Sequence, residues 1–397
     1  MPPSGIIWSE TYTRYKLGDE HPMHPRRLVI PFRLFESLNF FKIHSIKQFE
    51  PQPAPEADIL RFHTPGYVQA VKDSAQTSGN HLRYGLGTGD CPVFPEMHEI
   101  SRIIVGGALE GVKRIQNGDV KIAFSLLGGL HHAFAQRAAG FCYYNDVVII
   151  IKYLKEKFNL ERILYIDTDV HAGDGVLDAF YEDQGVLGIS IHESPQFIFP
   201  ATGFSNEIGE GIGRGYTINV PIFPATWDDL YIKMFEKVVP CLSNEFDPEF
   251  VIWQCGADGH YRDYLGHLNL TTKTYQHLGQ RIAELSQQSR AEGKLLMLGG
   301  GGYNPDSVAR VWLTTLAAVL GKELPTETPE DWRQFCENTY NIKGSTLIHD
   351  PPVGPQDVDR PALVEEANTQ YLQVLREELQ GTGIWENCVD LLISHPE

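Results

Sequence analysis

The stretch "RILYIDTDVHAGDG", Arg162–Gly175, runs from a short apolar segment into three aspartates and a histidine. A run of this length rich in Ile and Leu, set among longer amphipathic segments of helical spacing, reads as a parallel strand buried on both faces. In open α/β sheets ligands bind outside the carboxyl ends of such strands, so the titratable cluster stands where a site is expected. Four further runs repeat the pattern: "VKIAFSLL" from Val120, "GVLGISI" from Gly185, "PEFVIWQC" from Pro248 and "KLLMLGG" from Lys294. Each leads into chemistry: "GGLHH" with His131 and His132, then His192, then "GADGH" with Asp258, and "GGGGYN" with Tyr303. The prediction is an α/β fold, a single domain with a central, mostly parallel β-sheet flanked by helices and an active site at the strands' carboxyl ends.

Helices are expected over "FCYYNDVVIIIKYLKEKF" from Phe141 and over "TTKTYQHLGQRIAELSQQSRAEG" from Thr271, the second ending at a glycine stop. No internal repeat is visible. From about Glu323 the chain turns more polar, so residues 1–322 are read as the catalytic domain and 323–397 as an extension packed on it or trailing from it.

Composition narrows the function. The 397 residues, 42% of them hydrophobic, suffice for a large core. With 33 Lys and Arg against 51 Asp and Glu, the net charge of −18 disfavours nucleic-acid and anionic-membrane partners and welcomes a cationic substrate. Six cysteines without CxxC spacing argue for reduced thiols and a cytoplasmic location. Neither a basic-then-apolar leader nor a membrane-length apolar run is present.

Asp169 and His171, two apart, point to one side of an extended segment, and with Asp258 they form a one-histidine, two-carboxylate set suited to a catalytic zinc. Taken alone, Asp169 and His171 also fit as caps of a helix starting near Gly173. Adjacent His131 and His132 need polar partners if buried, and Asp167 and Asp174 are at hand to orient them. Tyr303, approached by four glycines, fits better as a phenol aimed at a developing oxyanion than as a core anchor.

These residues resemble the zinc-dependent histone deacetylases, and within them the bacterial acetoin-utilisation type. The likeness runs from roughly Tyr15 to Leu320 through "HPMHPRR", "GTGDCPVF", "GGLHHA", "GFCYYND", "DTDVHAGDG", "GISIHESP", "FPATG", "NVPI", "QCGADGHYRD" and "GGGGYN". It implies an arginase/deacetylase-like fold and the removal of acetyl or another short acyl group from the lysine ε-amine of proteins or peptides. Asp169, His171 and Asp258 would hold the metal, zinc or ferrous iron, which these ligands do not distinguish. His132 backed by Asp174 would be the general base and acid, His131 with Asp167 its electrostatic support, and Tyr303 the donor to the carbonyl oxygen. Gly140, Phe141 and Phe199 would line a tunnel for the acyl-lysine stem, Asp90 would grip the substrate backbone, and Arg27 would flank an acetate exit. Structural potassium is implied near Asp167, Asp169, His171, Ser190 and Ile191, with a second site near Phe180, Asp183, Val186 and Tyr216.

The chain departs from the usual pattern at Ala172, where a second imidazole commonly follows the histidine ligand; alternation turns Ala172 away from the metal side. Three rivals stand beside this reading. A two-manganese arginase-type site needs more metal carboxylates than remain once Asp167 and Asp174 serve histidines. A polyamine deacetylase calls for an acidic gatekeeper where this chain has Leu265. A non-catalytic acyl-lysine reader leaves His131, His132 and Tyr303 unexplained. Oligomeric state is not legible here.

Overall fold

The computed structural model describes residues 3–392. Eight strands, β1 (Ser4–Ile7), β2 (Lys47–Phe49), β3 (Ile122–Ser125), β4 (Ile163–Asp167), β5 (Val186–Glu193), β6 (Thr217–Ile222), β7 (Phe250–Gln254) and β8 (Leu295–Leu298), form one sheet in the order β2-β1-β3-β8-β7-β4-β5-β6. Every pairing is parallel, and the five strands expected from sequence are contiguous in the middle, as β3-β8-β7-β4-β5. Their carboxyl ends therefore adjoin: Asp167 at the end of β4 lies in register with Gln254 of β7 and Ser190 of β5. The strands missed were the peripheral ones. β2 is short and largely exposed, and β6 ("TINVPI") carries a proline that only an edge strand tolerates.

Both expected helices exist with shifted ends. The first spans Asp146–Phe158, capped by Asn145, whose Oδ1 accepts from the Val148 N–H (3.0 Å). Phe141 has φ +67°, incompatible with a helix, so the segment before Asn145 is free to build the site wall. The second spans Thr272–Gln288, capped by the Thr271 hydroxyl; it stops short of Gly293 because Ser289 takes extended backbone.

The described residues after Glu323 pack against the rest. In helix Glu330–Tyr340 the Trp332 indole donates to the Ile30 carbonyl (3.0 Å). Helix Pro361–Gln380 lies along the β6 edge, where Asn368 Oδ1 accepts from the Phe223 N–H (3.0 Å), covering an edge that would otherwise be open. Arg310 is buried against Asp306 (3.1 Å) and Asp350 (2.7 Å). The expectation of six reduced cysteines is corrected: Cys241 and Cys388 form a disulfide across 147 residues, joining helix Asp228–Phe246 to the C-terminal segment, while Cys91, Cys142, Cys255 and Cys336 are free and buried. Spacing gave no warning, because the partners meet only through tertiary packing. Among the described residues no helix is long and apolar enough to cross a membrane.

Candidate active site

The site forms where β4 ends. Asp167 Oδ1 accepts from the Asp169 N–H (3.1 Å) and Asp169 Oδ1 from the His171 N–H (3.0 Å), so each carboxylate fixes the backbone turn that presents the next ligand. Asp258, past the end of β7, holds the Val170 N–H through Oδ1 (2.9 Å). His171 Nδ1 lies 3.1 Å from Asp169 Oδ1 and 3.2 Å from Asp258 Oδ2. The three residues offer ligand atoms all within 4.8 Å of one another, and Asp258 Oδ2 is buried with no hydrogen-bond partner. Burial and the neighbouring charge of Asp169 push the Asp258 carboxyl up, the signature of two carboxylates that need a cation between them. A metal dication fits this donor set. The alternative that Asp169 and His171 cap the following helix is set aside, since that helix begins at Asp174 and the N–H of its N-cap, Gly173, donates to the Ser190 hydroxyl (3.4 Å) and not to either residue. Among the described residues the other candidate metal cluster is Cys241, Glu245 and Cys388, whose thiols are spent on the disulfide.

Beside the metal set stand the two histidines, their ring centroids 4.0 Å apart. His131 Nδ1 meets Asp167 Oδ2 at 2.7 Å, and His132 Nδ1 meets Asp174 Oδ1 at 2.6 Å. Asp167 and Asp174 are thus committed to imidazoles, as the sequence suggested, and are not spare ligands for a second metal. Burial opposes a charge on His131, but the carboxylates of Asp167 and Asp169 overcome it and push its pKa up to about 9. For His132 burial leads, the charge of His131 adds to it, and the pKa is held below that of an ordinary imidazole. The two neighbouring rings are thus shifted in opposite directions.

Tyr303 is brought in by the loop after β8. The Gly301 N–H donates to Asp169 Oδ2 (2.7 Å), and a Cβ at Gly301 would lie 2.1 Å from Asp258 Oδ2, so only glycine lets the loop pass so close. Asp263 Oδ2 accepts from the Tyr303 N–H (2.6 Å), and burial keeps the phenol protonated. The Phe141 ring lies 5.7 Å from Tyr303, and the Phe199 ring lies 4.9 Å from His132, so the two rings border the site on different sides. Gly140 has φ +52°, and a Cβ there would fall 2.2 Å from His132 Cδ2.

Other expected residues sit nearby with partners of their own. Asp90 Oδ2 accepts from the Gly140 N–H (2.7 Å), which makes it a brace for the wall. Arg27 is buried beneath Tyr303, its guanidinium donating to the carbonyls of Gly302 and Gly300, both at 2.6 Å, and lying 5.5 Å from the Tyr303 ring centre. Leu265 is half-buried, its N–H bonded to Asp263 Oδ1. Ala172 is buried and lines a cavity with Leu177 and Gly203. The Ser190 hydroxyl contacts His192 Nδ1 (2.8 Å), while the carbonyls of Phe180 and Asp183 accept from the N–H groups of Asp183 and Val186. Ile191 lies within β5 and Tyr216 just before β6. His192 lies inside β5, not beyond it, and bonds the Gly203 carbonyl (2.9 Å).

Sequence reasoning missed the residues that hold the ligands. Gln254 Nε2 donates to Asp169 Oδ2 (2.9 Å), and the Tyr165 hydroxyl donates to Asp167 Oδ2 (2.5 Å). Asn145 Nδ2 binds the carbonyls of His131 and Ala133, and buried Asp146 accepts the N–H groups of Gly129 and Leu130. Polar residues within or abutting apolar runs, as in "VIWQC" and "YYND", were the available signal.

The chain matches the histone deacetylase domain over residues 21–319. It is 36% identical over 394 residues to the acetoin utilization protein AcuC of Bacillus subtilis (strain 168), covering 96% of this chain and 100% of that protein. The AcuC of Staphylococcus xylosus is 35% identical over 83% of this chain and 86% of its own length. Among solved structures, a histone deacetylase (HDAC) homologue from Aquifex aeolicus superposes with a TM-score of 0.81 at 30% identity, covering 92% of this chain and 99% of that one. An HDAC homologue in complex with SAHA gives a TM-score of 0.81 at 29% identity over the same shares.

Proposed function

The chain belongs to the histone deacetylase family, and from that premise we propose that it is a metal-dependent hydrolase removing acetyl, or another short acyl group, from lysine side chains of proteins or peptides. The observation that carries the reading is the convergence, at one end of the sheet, of Asp169, His171 and Asp258 beside two histidines, each bonded to its own carboxylate. Zinc, or ferrous iron in its place, held by Asp169, His171 and Asp258 would polarise the acyl carbonyl and acidify a water.

His132, neutral at rest, accepts the proton of the attacking water on Nε2, because Nδ1 is occupied by Asp174. Charged His131 lowers the cost of the negative charge that develops nearby, and the Tyr303 hydroxyl donates to the carbonyl oxygen as it becomes an oxyanion. His132 then hands its proton to the leaving amine. Phe141 and Phe199 suit the methylene stem of a lysine, Gly140 leaves the wall thin beside His132, and Asp90 braces that wall. Buried Arg27 beneath Tyr303 would steady the departing carboxylate product. Apolar Leu265 favours a peptide over a polyamine, which would leave its distant ammonium without a partner there. Potassium near Asp167 and Ser190, and near Asp183, would be structural. The four buried free thiols support a cytoplasmic location, with the single disulfide weighing against it.

The test is a panel of acetyl- and longer acyl-lysine peptides beside acetylspermidine, each assayed with and without a chelator. Chelator-sensitive release from the peptides supports the proposal; release from acetylspermidine alone moves the substrate to polyamines.

A further inference from the structure

Ala172 borders a cavity of about 310 Å3 that Asp174 also lines. Leu177, Thr217 and Asn219 line it beside Asp174 and Glu207. Asn219 is 1% exposed; its amide nitrogen donates to the Glu207 carbonyl (2.8 Å), while its Oδ1 has no partner. A buried amide oxygen left unpaired is costly, so a donor is called for. The carboxylates of Asp174, Asp178 and Glu207 also face the cavity, and all are acceptors. The single cationic side chain of the lining, Arg137, is exposed, its guanidinium 4.1 Å from the Phe134 ring centre. The polar lining thus asks for hydrogen-bond donors and positive charge, and Leu177 with the methyl of Ala172 offers apolar surface for a short stem.

We propose that this cavity binds a small aliphatic ammonium ion, its head on Asn219 Oδ1 and Glu207 and its carbons against Leu177 and Ala172. The cavity lining includes Asp174 but none of His132, Phe141 and Tyr303, so the site is distinct from the metal and histidine cluster, which it meets at the Asp174–His132 pair. It stands whether or not the hydrolase reading holds, because its test reads binding and not turnover.

The experiment is calorimetric titration of the full chain with butylammonium chloride at constant ionic strength, with 1-butanol as the uncharged isostere. One saturable site is expected for the ammonium and none of comparable affinity for the alcohol. Glu207→Gln keeps the acceptor for the Gly203 N–H, and Asp178→Asn alters an exposed residue, so both variants should fold. Glu207→Gln should raise Kd about tenfold, the scale of a hydrogen bond to a charged group, and Asp178→Asn, which removes only a nearby charge, should raise it less. Phe141→Ala, on the other side of His132, should leave Kd unchanged. Equal binding of butanol, absence of saturation, or a Kd that Phe141→Ala raises while Glu207→Gln and Asp178→Asn leave it alone would overturn the proposal.

Discussion

At the residue scale the account turns on which side chains move protons and which hold charge. Tyr303→Phe removes one oxyanion donor but neither metal ligand nor proton carrier, so kcat should fall about a hundred- to thousandfold with peptide binding retained; stopped peptide assays beside equilibrium binding check this, and a near-native kcat removes Tyr303 from the chemistry. Asp174→Asn should also lower kcat strongly, since an amide cannot balance the charge that His132 gains when it takes a proton. These residues were legible because unusual types crowd at strand ends, as in "GGLHH" and "DTDVHAGDG". Asp90 was legible as present but not as engaged: its bond to the Gly140 N–H depends on a tertiary approach 50 positions along the chain.

At the element scale, strands and loop ends deliver these groups, and the caps keep them in place. His63 Nε2 accepts from the Asn145 N–H (2.9 Å), and Asn145 both caps helix Asp146–Phe158 and binds the His131 carbonyl. Burial pushes the His63 pKa down to about 3, so His63 is neutral in the fold and protonates first in the unfolded chain. The unfolded state then binds more protons, and stability is full above about pH 6.5 and falls as pH drops toward about 3, by at most about 1.4 kcal/mol per pH unit from this residue. Urea unfolding at pH 6.5 and 5 should show a shallower loss in His63→Gln than in the parent; equal slopes would remove His63 from this role. The five central strands were readable because their continuous Val, Ile and Leu runs are what two-sided burial demands. β2 was not, since a short exposed edge strand escapes that demand, β6 was not, because Thr217, Asn219 and Pro221 interrupt its apolar run although it is buried, and the Phe141 helix was started too early because apolar "FCYY" serves the site wall and not a helix face.

At the scale of the whole molecule, the chain after Glu323 is tied to the rest by charge and by a covalent bond. Asp350→Ala would leave Arg310 buried beside one carboxylate in place of two, costing about 1.5–3 kcal/mol, the scale of a lost hydrogen bond to a charged group, and lowering Tm in a calorimetric scan. Thiol titration of the denatured, unreduced chain should count four thiols and rise to six after reduction; six throughout would remove the Cys241–Cys388 bond. With a net charge of −18, kcat/KM for a cationic peptide should fall as salt is raised. The disulfide was invisible in the spacing of the cysteines, whereas the single crevice followed from five strand exits that could share only one end of a sheet. The most direct test of the central claim is acetate release from an acetyl-lysine peptide by the purified chain before chelation, after it, and after zinc is restored. The account predicts release that chelation abolishes and about one zinc per chain restores, with Asp258→Ala not restored; release that persists in the chelated protein, or none in a chain carrying zinc, would contradict it.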